Sequence, residues 1–350
     1  MSAVEDYLKN LAMSFPRHNL TEAGRKLLNN EEKADWIVRI LLRKEFRKAK
    51  VFEQTKQDIK NKVLLSIREA RPLHFVILFG GYKHFWNSSY PEVDWAELFN
   101  LNFMSELFSP ILEVHTPGIV LDYGSEDIII TMMDNYPKSA LDKYAESFEL
   151  LLRFYSKYCP PNLKINYIRT GEKYDSKKLK AKVKEKLPEK LKAFEKLPME
   201  DRKRHLHRSY RSIMWKGQED WTTLNEKEKE NKLIESKIIE DTFYEVEAGF
   251  LGDYFTGDNR VPLVLSWGLS DENVDHWLTL GSTHASTVDF WIGRGILEDK
   301  GNGHFVPRVL SQKQYEEVKS KLKNVKIGFI PLKNLQSVEV HYGKLGFSNS

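Results

Sequence analysis

The feature that most limits what this chain can become is the run Phe75-Val76-Ile77-Leu78-Phe79, which is followed at once by Gly80-Gly81. Five apolar, β-favouring residues arriving just after a proline predict a strand buried on both faces. Gly80 and Gly81 end it, and Tyr82, Lys83, His84 and Trp86 follow before a helix that starts near Pro91. A strand, a glycine turn and a helix form the unit that binds ligands at strand carboxyl ends in open α/β sheets. The glycines would let the backbone approach a phosphate or carboxylate, with the Lys83 charge beside it. The other reading is a plain strand-to-loop turn with a solvated lysine, because Gly-Gly-x-Lys lacks the Ser/Thr of a P-loop.

The rest of the chain fits an α/β protein. Helices are expected over Glu31–Ala49 and Gln57–Glu69, then from about Asp94 to Leu107 and from Tyr136 to Tyr155. Strands are expected at Ile119–Tyr123, Leu163–Ile168, Val261–Trp267, Asp275–Gly281, Phe290–Leu297, Phe305–Val309, Lys326–Ile330 and Val338–His341, with a short apolar run at Ile128–Ile130 and a helix over Gln312–Leu322. Such alternation predicts a Rossmann-like, mostly parallel sheet with flanking helices. Residues 171–235 are Lys/Glu-rich and interrupted by Pro188 and Pro198. The expected organisation is a helical segment over 1–70, one α/β catalytic domain from 71–170 and 236–345, and a charged helical insertion over 171–235.

Composition narrows the function. The 350 residues carry 54 basic and 50 acidic side chains, a net charge of +4, which is too even for a dedicated nucleic-acid binder. The basic stretch Lys177–Lys196 suits a solvated, salt-bridged helix better than a phosphate-backbone site; the denser Arg202–Arg208 could hold a phosphorylated substrate or RNA but lacks the interleaved aromatics of an RNA module. Nucleic acid is therefore not the expected partner, and the alternatives to an enzyme of the kind described below are another transferase of the same fold or a polyanion-binding protein that uses these basic helices. A single cysteine, Cys159, rules out an internal disulfide and a cysteine-based metal site. With no signal-like start and no apolar run of about 20 residues, a cytoplasmic protein without membrane contact is expected.

The order of features over residues 73–150 resembles the isocyanide (isonitrile) synthases. That family has an apolar strand, a loop lysine, a Pro-x-x-Asp-x-Ala-Glu segment opening a helix, a Pro-Gly turn, a strand ending in an acidic loop, and a helix with an inward tyrosine. Here these match the strand ending at Phe79, Lys83, Pro91 with Asp94-Trp95-Ala96-Glu97, Pro117-Gly118, Ser125-Glu126-Asp127 and Tyr144. Leu263–Ser266 and Asp289–Gly293 look like divergent versions of two later motifs, with Val264 where the family has a strand arginine and Ile292 where it has a histidine. The resemblance implies a Rossmann-like fold and conversion of an amino acid's amine to an isocyanide. The carbon donor would be a sugar phosphate of the ribulose 5-phosphate type, with no cofactor and no metal.

Candidate site residues follow from placing chemistry at the strand carboxyl ends. Lys83 could bind the phosphate or engage a ketone carbonyl. His276 or His284 could act as general base, with Asp289 alongside as a further catalytic candidate. Gly80, Gly81, His84, Asp122, Ser125, Glu126, Asp127, Ser266, Ser282 and Arg294 are candidates for substrate binding. Ser266 has no G-x-S-x-G elbow, which disfavours a hydrolase triad, and no His/Asp/Glu spacing supports a metal site.

Overall fold

The computed structural model describes residues 2–16, 29–83, 91–127, 130–131, 136–172, 175–203, 223–257, 259–265 and 278–346. Its centre is a five-stranded sheet built from β1 (Leu73–Phe79), β2 (Ile119–Ser125), β3 (Leu163–Arg169), β4 (Arg260–Leu265) and β5 (Leu278–Leu280). The spatial order is β3-β2-β1-β4-β5 and every pairing is parallel. That is the Rossmann order, and the order in which the chain lays down strands reverses between β1 and β4, the switch point at which open α/β sheets place ligands. The expected fold class is therefore what the chain adopts.

The flanking helices are α1 (Ala3–Met13), α2 (Asn30–Leu41), α3 (Glu53–Arg68), α4 (Trp95–Val114), α5 (Lys138–Tyr155), α6 (Ser176–Glu195), α7 (Glu226–Thr256) and α8 (Gln312–Val318). Helix α4 is buried nearly all round, from Trp95 to Leu112. Such a helix has to lie between two packed layers. Those layers are the parallel sheet and a second sheet formed by β6 (Arg294–Asp299), β7 (Phe305–Leu310), β8 (Leu322–Lys326) and β9 (Ser337–Tyr342), in the order β7-β6-β9-β8. β6 and β9 are parallel, and the outer pairs are antiparallel. At Gly295 the helix and β6 meet backbone to backbone: a Cβ there would lie 2.2 Å from the Ala96 nitrogen. Among the described residues no helix is long and apolar enough to cross a membrane.

Several expected boundaries move. The strands expected in one sheet divide between two. Helix α2 stops at Leu41 rather than Ala49: Arg47 curls back, its Nε donating to the Leu42 carbonyl at 2.9 Å, and bridges to Leu280. Helix α3 begins at Glu53, four residues before Gln57. The third C-terminal strand starts at Arg294, because the N–H groups of Ile292 and Gly293 both close a turn on the Asp289 carbonyl at 3.0 Å. β8 occupies Leu322–Lys326, ahead of the expected Lys326–Ile330, because Val325 pairs with Val338. Ile130 is helical, its N–H bonded to the Glu126 carbonyl, while Ile128 and Ile129 lie outside the described residues. Pro188 does not break α6. Helix α7 crosses the expected 235/236 boundary without interruption and packs on both α6 and β4. Its Glu245 pairs with Lys186 and Lys190 of α6, so part of the basic stretch is neutralised by the helix beside it.

Candidate active site

β1 delivers Lys83 to the crevice end of the sheet, but the side chain turns inward and is completely buried. Its ammonium lies 3.0 Å from Asp94 Oδ1, 2.9 and 3.0 Å from the two Glu97 oxygens and 2.7 Å from the Phe290 carbonyl. An ammonium has three protons, so these acceptors saturate it. The carboxylates belong to the start of α4. Asp94 is the N-cap, accepting from the Ala96 N–H at 2.7 Å, and Glu97 reaches back to the Asp94 N–H at 2.8 Å. Together they form a capping box. A buried helix must satisfy its first N–H groups without water; here two acids do so, and Lys83 offsets their charge. The Tyr144 hydroxyl, from α5, donates to Glu97 at 3.1 Å. Burial pushes the Glu97 carboxyl up to about 8, against the pull of Lys83 and with a push from Asp94.

The scaffold above β1 is aromatic. The ring of Phe79 sits 5.4 Å from Phe290, 5.7 Å from Trp291 and Phe148, and about 6 Å from Tyr123 and Tyr167. The space the glycines free is taken by this packing. A Cβ on Gly80 would meet Tyr82 at 2.4 Å and Trp291 at 2.9 Å. Gly81, at φ +70°, would meet the Ser125 Cβ at 2.3 Å. Side-chain packing therefore requires glycine at both positions.

The other sequence candidates fall into separate places. Ser125 is buried at the end of β2, opposite Phe79 and beside the Tyr167 hydroxyl. The Glu126 N–H binds the Phe79 carbonyl. Asp127 ties down the end of β3, accepting from Arg169 Nε at 3.2 Å and from the Gly171 N–H at 2.9 Å. Asp122 is not at the strand ends at all: from mid-β2 it bonds His74 at 2.7 Å and Asn166 at 2.8 Å, a polar row across three strands. Asp289 closes the turn that presents Phe290 to Lys83. His284 lines a different cavity of about 220 Å³, together with Tyr7, Phe103, Glu106 and Phe305, and Ser282 is buried two residues before it, its N–H bonded to the Ser286 carbonyl. His284 Nε2 lies 2.7 Å from Glu106 and its Nδ1 3.3 Å from the Glu45 carbonyl, which anchors the ring in that cavity. Arg294 lines a third cleft and pairs with Glu339 at 2.6 Å. His84, Ser266 and His276 lie outside the described residues.

Asp94, Glu97 and Tyr144 were visible in the sequence only as points of the family pattern; the two acids hold Lys83, and Tyr144 holds Glu97. Asp94-x-x-Glu97 is itself a capping-box spacing, which was the available signal.

No family model matches the chain, and no curated protein does. A solved structure does: the crystal structure of the PvcA protein from Pseudomonas aeruginosa is similar at 13% identity, with a TM-score of 0.61, over 88% of this chain and 99% of that one. The likeness is one of fold.

Proposed function

We propose that the chain is an isocyanide-synthase-like enzyme that converts an amino acid's amine, taking carbon from a ribulose 5-phosphate-like sugar phosphate at the crevice above β1 and β4. One observation carries this reading. Lys83, Asp94, Glu97 and the Phe290 carbonyl, spread over more than 200 residues of sequence, meet at a single ammonium beside the sheet's reversal point, and Tyr144 donates to Glu97 behind it. They are the residues through which the sequence resembles the family, and the fold likeness covers most of the chain.

Within this reading Lys83 is a positioning residue. A Schiff-base or phosphate-binding role needs an amine or ammonium that faces the ligand, whereas this ammonium is enclosed by carboxylates. It locks the start of α4 to the Phe290-Trp291 segment and so shapes the crevice floor from beneath. The test is incubation of the protein with ribulose 5-phosphate, carbon-13-labelled at C2, and a panel of L-amino acids. The expected result is a product heavier than the amino acid by the change from amine to isocyanide, carrying the labelled carbon. Folded protein that yields no labelled product with any amino acid overturns the reading.

A further inference from the structure

Helix α4 turns one side to Lys83 and the other to the cavity that His284 lines. Nine residues separate Glu97 from Glu106. That is about two and a half helical turns, so the two side chains leave α4 on opposite sides, about 14 Å apart along its axis. The cavity beside Glu106 has a volume of about 220 Å³ and largely apolar walls: Tyr7 of α1, Phe99 and Phe103 of α4, and Phe305, Val306 and Pro307 of β7. A dry apolar cavity of about 150 Å³ already admits benzene, so this one has room for a substituted ring. Its walls are braced from behind. The Tyr7 and Phe305 rings pack at 5.3 Å, and Phe103 packs on Phe46 and on the His284 ring, each at 4.9 Å.

The charges at the rim are already matched. Glu106 and His284 hold each other at 2.7 Å, and Arg43, next to them, pairs with Glu45 at 3.5 Å. An ion entering here would shed its water against aromatic rings and find no unmatched charge in return. That excludes a zwitterion or a phosphate, so the ligand is of another class than the crevice substrates. Hydrogen-bonding capacity does remain. Among the described residues His284 takes only the Oε2 oxygen of Glu106, and the Tyr7 hydroxyl takes part in no hydrogen bond. The two groups are neighbours: burial pushes the Tyr7 phenol up to about 12, and the Glu106 charge adds to it. A ligand hydroxyl has a donor and an acceptor side, and these two groups complement both.

We propose that this cavity binds a small uncharged aromatic alcohol of the phenol class, its ring among Tyr7, Phe103 and Phe305 and its hydroxyl between Tyr7 and Glu106. It is a second site, across α4 from the Lys83 cluster, and it stands whether or not the crevice makes an isocyanide.

The experiment is calorimetric titration of the whole protein with p-cresol, toluene and p-toluate, which share a methylated ring and differ in the other substituent. Saturable binding of p-cresol is expected. Toluene lacks the hydroxyl and should bind about tenfold more weakly. The p-toluate carboxylate has no partner here and should bind more weakly still. Val306 is half-buried on the edge strand β7, so Val306→Trp can fill the cavity without entering the core. That variant should lower p-cresol affinity at least about tenfold. Tyr7→Phe keeps the ring, gives up no hydrogen bond within the protein, and should bring p-cresol down toward toluene while leaving toluene unchanged. Circular dichroism checks that both variants fold; if Val306→Trp does not, Tyr7→Phe decides alone. No saturable p-cresol binding at millimolar concentration, toluene or p-toluate binding as tightly as p-cresol, or p-cresol affinity unchanged in either folded variant overturns the proposal.

Discussion

Glu97 and Glu298 are the same residue type, both sealed from solvent, and they ionise in opposite directions. Glu97 shares one ammonium with a second acid, Asp94, in the interior between the two sheets. Glu298, on β6, has two cations to itself: Lys300 at 2.6 Å and Arg308 at 2.9 Å, with the Leu345 N–H at 3.0 Å. Burial pushes both carboxyls up. Around Glu298 the partners pull harder and it ends below its ordinary value, whereas around Glu97 burial wins and it ends at about 8. Sequestration alone does not set the sign; the ratio of cations to acids does. Side chains of Lys300 and Arg308 also reach the surface, whereas Lys83 does not, so the Glu97 cluster has no water to fall back on.

The largest effect should come from removing the one cation that has no substitute. Lys83→Met keeps the length of the side chain and leaves Asp94 and Glu97 facing each other in the interior. Breaking a buried pair by removing one partner costs about 3–5 kcal/mol. Urea unfolding of the variant should show a loss of that size. A loss below about 1 kcal/mol would mean the cluster is not the clamp its geometry indicates. Loss of activity in this variant is therefore no evidence of a chemical role for Lys83 unless folding is checked beside it.

Next in size is the opposite pH response of the two glutamates. A raised folded value means that the unfolded chain gives up the Glu97 proton first as pH rises. Folding therefore loses stability between about 4.5 and about 8, by at most about 1.4 kcal/mol per pH unit. Glu97→Gln removes that slope, so its stability relative to the parent should climb as pH goes from 5 to 8. A lowered folded value works the other way. The Glu298 contribution is present above the ordinary carboxylate value and is lost as pH falls through its folded value. Glu298→Gln should thus be weakened at neutral pH and recover in acid. Melting temperatures of the two variants against the parent, taken across pH 4 to 8, should diverge in sign; parallel curves would dissolve the contrast.

These clusters show how far the sequence carries. The run at Phe75–Phe79 and the glycines after it announce a central strand because their composition allows little else, and the parallel sheet follows from the strand–helix alternation. The place of Lys83 was legible for the same reason, since it follows the strand. Its partner was not. Whether a lysine at a strand end meets a phosphate or two carboxylates depends on where the next helix starts, and Asp94 and Glu97 turn back toward β1 only because α4 is threaded between two sheets. The second sheet was hidden because its pairings join residues far apart, such as Leu297 with Val340, and local pattern says nothing about which strands become neighbours. Arg294 and His284 were assigned to the same crevice on the assumption of one sheet. With two sheets they line two other cavities. The overrun of α2 has a local cause: the apolar spacing continues past Leu41 to Phe46, which is buried by a turn and not by a helix.

The smallest effect is expected from a third glutamate, and it closes the series. Glu245 has two lysines, Lys186 at 2.6 Å and Lys190, and those hydrogen bonds hold its carboxyl down at about 2. On partner count alone it would rank with Glu298. It differs in lying on the solvent side of the α6–α7 pair, with its side chain and that of Lys186 each more than two-fifths exposed. Water solvates these charges almost as well apart as together, and holding two long lysine side chains in place consumes what little the attraction supplies. Glu245→Gln should therefore leave the melting temperature within error of the parent at low salt as well as at 1 M, where surface charges are screened. A loss comparable to that of Glu298→Gln would show that partner count outweighs exposure, and the order Glu97, Glu298, Glu245 would have to be redrawn.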